Sequence, residues 1–170
     1  MRGFGVAVFL LLLVLGCRAG SPNPKTFLKG WESIADEYLA TGKQLNAAPL
    51  PDLRGLSGAE RSQVIGDEVI RAAGLYEALV PRARALQPPS GYEDLKDVLV
   101  DTVEGTARYT KEWGEAIKTQ VKTNADAASK RLDQHCLSSV DRLIKCMADH
   151  GIDVSRYKAQ RRQMAEMLGG

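Results

Sequence analysis

Few residues in this 170-residue chain have the types needed for chemistry: two histidines, His135 and His150, and three cysteines, Cys17, Cys136 and Cys146. Two histidines leave little material for a Ser-His-Asp triad and cannot make a three-histidine zinc site. Cys146 and His150 lie four residues apart, which puts both on one face of a helix as a pair of metal ligands. His135 and Cys136 would join them only if the chain folded back. This is not a standard zinc spacing, so no metal and no cofactor is assigned, and both histidines read as solvated or capping residues.

Two further constellations have a functional and a plainer reading. Glu104, Glu112 and Glu115 would serve a hydrolase if they converged in a cleft with a raised carboxyl pKa. Their helical spacing reads more simply as an exposed acidic face. Trp31, Tyr109, Trp113 and Met147, with His150 as an axial ligand, would suit a haem or small-molecule pocket if an apolar cavity opened beside the histidine. Yet Phe27 with Trp31 and Tyr109 with Trp113 are four-residue pairs, the spacing that core packing produces on an apolar stripe. A Gly-rich phosphate loop, HExxH, GxSxG and a dinucleotide fingerprint are all missing after residue 16. The sequence therefore gives an enzymatic role no positive support.

The third cysteine has a more telling neighbourhood. Arg2 supplies a positive start, and Val6 to Leu15 is a nearly unbroken apolar run, the layout of an export signal. A permanent membrane span is disfavoured, because Phe4 to Gly16 would rise only about 20 Å against a hydrocarbon core of about 30 Å. The run ends in Val14, Leu15, Gly16 and Cys17, with an aliphatic residue three before the cysteine and a small one just before it. These four residues and the run before them resemble the lipobox of bacterial lipoproteins. The resemblance implies cleavage after Gly16, a diacylglyceryl group on the Cys17 thiol and a further acyl chain on the new amino terminus. Two or three chains at about 0.8 kcal/mol per methylene would hold the protein firmly on a bilayer. Arg18 follows where an Asp would retain such a protein at the inner membrane, so a Gram-negative source implies the outer membrane, facing the periplasm.

The positioning elements read as helices. Residues 17–25, the lipidated cysteine and a Pro-interrupted stretch, are expected to be a flexible tether of at most about 26 Å beyond Cys17. The folded domain is then expected over residues 26–170. Phe27, Trp31, Ile34, Tyr38 and Leu45 mark a first helix over about 26–46, with Thr26 as its cap and Gly42 weakening its last turn. Ala47 to Ser57 is a Pro- and Gly-containing loop. From Gly58 the positions Ile65, Val69, Ala72, Tyr76, Leu79, Ala83 and Leu86 form one stripe, which Pro81 should bend or break. Gln87 to Gly91 is a tight link.

A third helix opens at Glu93, Asp94 and Asp97 and closes near Lys118 and Lys122, an order of charge that suits its dipole. The pattern continues through Leu132, Cys136, Val140, Leu143 and Met147 to Gly151. Helical phase is kept through Ser138 and Ser139, which predicts one continuous helix and no bond between Cys136 and Cys146. A last helix over about 154–168 follows Asp153. The expected fold is all-α, an up-and-down bundle of four or five helices, with Trp31, Tyr76, Tyr109 and Trp113 facing inward.

Charge narrows the partners. Of 23 basic and 21 acidic residues only Arg2 falls in residues 1–16, so the remainder carries a net charge of +1, and nothing calls for nucleic acid. Arg156, Lys158, Arg161 and Arg162 read as a solvated helix face rather than a lipid-binding patch. The expected partners are a lipid bilayer, through acylated Cys17, and other envelope proteins. The expected role is non-enzymatic, structural or adaptor, in the cell envelope.

Overall fold

The computed structural model describes residues 23–49 and 51–167. Within them lie six helices: α1 (Pro24–Ala47), α2 (Gly58–Glu77), α3 (Val80–Ala85), α4 (Glu93–Lys118), α5 (Lys122–Asp149) and α6 (Ser155–Met167). There is no strand among the described residues. The all-α bundle is as expected, with five long helices and the short α3.

Helix α1 begins earlier than its apolar pattern indicates. Asn23, not Thr26, is the N-cap, its side chain accepting the Lys25 N–H at 2.9 Å, and Pro24 occupies the first turn. A first-turn proline loses no hydrogen bond, because that N–H has no intrahelical partner. Pro24 and Lys25 therefore belong to the folded domain and not to the tether. Gly42 lies within the helix as expected, and a Cβ there would lie 3.4 Å from the Tyr76 hydroxyl.

Helix α2 opens with a capping box, in which Ser57 accepts the Glu60 N–H while Glu60 accepts the Ser57 N–H at 2.8 Å. The expected break near Pro81 falls between Glu77 and Val80, and Pro81 sits in the first turn of α3. Gly91 turns the chain toward α4 with φ +86°. Between α4 and α5, Gln120 takes φ +59°, a left-handed turn made without glycine.

Contacts between helices set their directions. Tyr38 on α1 meets Thr106 on α4, and Trp31 Nε1 donates to the Leu95 carbonyl at 2.8 Å, so α1 and α4 run the same way. Lys118 pairs with Asp67 and Arg84 with Glu104, so α2 and α3 oppose α4. Arg131 pairs with Glu112 and His150 with Asp94, so α5 opposes it too. Helix α4 is the central element, packing against α1, α2, α3 and α5.

Trp31, Leu79, Leu95, Leu99, Val103 and Met147 are fully buried at the centre. Tyr76 is buried as well, while Tyr109 and Trp113 are half-buried. Helix α5 is unbroken, and Cys136 and Cys146 are free thiols.

Candidate functional site

Asp94, in the first turn of α4, faces Cys146 and His150 at the end of α5. The Cys146 thiol donates to Asp94 Oδ2 at 3.2 Å, and His150 Nε2 lies 2.9 Å from Oδ1 and 3.2 Å from Oδ2. A carboxylate only accepts, so Nε2 carries the proton. The Leu95 N–H also donates to Oδ1 at 2.9 Å and fixes the carboxylate from its own backbone. Tyr92 stacks on the His150 ring, with centroids 4.6 Å apart and planes 24° from parallel. One ligand atom from each of Asp94, Cys146 and His150 lies within 4.8 Å of the others.

Local structure explains the convergence. Cys146 and His150, one turn apart, project from one face of α5. The antiparallel packing of α4 brings the start of that helix beside the end of α5. Cys146 is buried and the His150 side chain is 17% exposed, whereas Asp94 is 58% exposed, so the cluster opens to solvent on the carboxylate side.

Burial works against the charge on Asp94, yet the hydrogen bonds from Cys146 and His150 hold its carboxyl below the usual carboxylate range. Burial, the hydrogen bond to Asp94 and the charges of Asp94 and Asp149 push the Cys146 thiol up to about 12. The thiol is thus protonated near neutral pH and a poor nucleophile.

Of the two roles expected for the histidines, solvated or capping, His150 takes the second in its backbone, which forms the C-cap of α5, while its ring packs against Tyr92 and Asp94 rather than standing in solvent. His135 is not solvated either. It packs edge-on over Gly105, where a Cβ would meet its Cε1 at 2.2 Å, and its ring centroid is 5.0 Å from that of Tyr109. Its Nε2 lies 3.3 Å from the Thr102 carbonyl, with the buried Ser139 hydroxyl beside the ring. His135 and Cys136 do not join the Asp94 cluster. Asp94, which reads in sequence only as a charge suited to a helix start, is the member that sequence reasoning misses.

The other constellations resolve differently. Glu104, Glu112 and Glu115 do line one groove, of about 670 Å³, together with Glu77. Arg84, Arg108, Lys111 and Arg131 line it as well, and Arg84 holds Glu104 at 2.6 Å. The face is mixed in charge, not acidic. The aromatic set does not gather round a histidine in one pocket: Trp31 bonds to Leu95 in the core, Tyr109 packs on His135, and His150 stacks on Tyr92. Arg156 pairs with Asp36 and Arg161 with Asp141, so half of the basic run is engaged by the bundle.

Val14 to Cys17, the lipobox-like residues, lie outside the described residues. No described helix is long and apolar enough to cross a membrane. Comparison with protein-family models, curated proteins and solved structures finds no match.

Proposed function

We propose that the chain is a lipid-tethered envelope protein, carried on an acylated Cys17, whose helical bundle plays a non-enzymatic structural or adaptor role. The observation that carries this is the apolar run Val6 to Leu15 leading into Gly16 and Cys17, the arrangement that export and lipidation require. The start of the bundle is consistent with it. Asn23 caps α1 six residues after Cys17, so at about 3.3 Å per residue the bundle would sit within roughly 20 Å of the lipid. Anchoring does not need a spanning helix, because two or three acyl chains suffice.

The bundle suits a display role. Its centre is filled by its own side chains, and ion pairs such as Arg82–Glu37 and Arg156–Asp36 join neighbouring helices on the outside. Fractionation of a bacterial host with lipoprotein-processing enzymes tests the proposal. The wild-type chain is expected in the membrane fraction and Cys17→Ser in the soluble fraction or retained as uncleaved precursor. A wild-type protein that is soluble, or a Cys17→Ser protein processed and membrane-bound like wild type, would overturn it.

A further inference from the structure

The geometry points to a metal site that the sequence spacing alone does not support: Asp94, Cys146 and His150 bind one divalent ion of the zinc class, with a fourth position left to water.

Three donors of the types that zinc takes, a carboxylate oxygen, a sulfur and an imidazole nitrogen, converge from two helices. With zinc–ligand bonds of about 2.0–2.3 Å, tetrahedral ligands stand roughly 3.3–3.6 Å apart. Here Asp94 Oδ2 lies 3.2 Å from the Cys146 sulfur and 3.2 Å from His150 Nε2, and the three ligand atoms all lie within 4.8 Å of one another. The carboxylate oxygen therefore needs to move away from each partner by only a few tenths of an ångström. The solvent side of the Asp94 side chain, 58% exposed, leaves room for that shift.

Two supports resemble those that surround metal ligands. The Leu95 N–H holds the carboxylate, and Tyr92 stacked on His150 limits the rotation of the imidazole. On binding, the ion takes the place of the two shared protons. The Cys146 proton leaves to solvent, and His150 coordinates through Nε2 with its ring proton on Nδ1. The thiolate and carboxylate then balance the two positive charges. The ion would tie the start of α4 to the end of α5.

Cobalt(II) and zinc(II) titration of the reduced full chain, purified in detergent without a histidine tag, tests this. One equivalent of cobalt is expected to give a thiolate-to-cobalt charge-transfer band that zinc abolishes, and zinc should raise the melting temperature. Asp94→Ala, His150→Ala and Cys146→Ser should each weaken cobalt binding at least tenfold, with Cys146→Ser also removing the band, while Cys136→Ser keeps both. Asp94→Ala, at an exposed side chain, keeps the test open if Cys146→Ser fails to fold. A wild-type chain with no such band, or an Asp94→Ala or folded Cys146→Ser protein that binds like wild type, would overturn the assignment.

Discussion

His135 shows how a polar side chain is kept inside an apolar bundle. Its Nε2–H points at the Thr102 carbonyl, left open for a second hydrogen bond, and Gly105 leaves room for the ring. Burial lowers the pKa of His135, against the opposing pull of the Thr102 carbonyl and Asp101; Arg142 and Arg108 add to the lowering. Folding thus favours the neutral ring. The unfolded chain binds the proton first, so this contribution is complete above the ordinary histidine value of about 6.5 and is lost as pH falls below it toward the folded value. Thermal melts between pH 7.5 and 5.5 should show a stability loss that His135→Gln reduces. An unchanged slope in the variant would show that another group is responsible.

The element scale is where the sequence is most legible. Apolar spacing marks α1, α2, α4 and α5 because each buries one stripe against neighbours, and Pro81 announces the break after Glu77 because its ring cannot sit inside a continuing helix. The start of α1 is misread because proline breaks a helix interior but suits its first turn, and only the Asn23 cap decides between the two. Cys136 and Cys146 stay apart for the reason that helical phase gives: ten residues of continuous helix span about 15 Å, beyond the reach of about 7 Å for a disulfide.

Two features have no periodic signature. Asp94 finds its partners 52 and 56 residues away, through the packing of α4 on α5. Gly66 and Gly114 bring the backbones of α2 and α4 into contact, since a Cβ on Gly114 would lie 2.8 Å from the Gly66 carbonyl oxygen and 3.1 Å from the Ile70 nitrogen. Backbone cannot yield as a flexible side chain does. Gly114→Ala should therefore destabilise the bundle by about 1–3 kcal/mol in chemical denaturation, despite alanine's better helix propensity. Gly74→Ala, on exposed α2 surface with nothing within 4 Å, should instead stabilise by about 0.5–1 kcal/mol. Equal effects at the two sites would contradict the close approach of α2 and α4.

At the scale of the whole molecule, the proposed function places a lipid-anchored, exported amino-terminal segment ahead of the helical bundle described over residues 23–167. That proposal rests on the run itself, Val6 to Leu15 leading into Gly16 and Cys17. Intact mass spectrometry of the protein extracted with detergent from the membranes of a lipoprotein-processing bacterium tests that proposal directly. The account predicts a chain beginning at Cys17, heavier than the polypeptide by a diacylglyceryl group and commonly one further acyl chain. A chain carrying an unmodified Cys17, or one cut at another position, would contradict it.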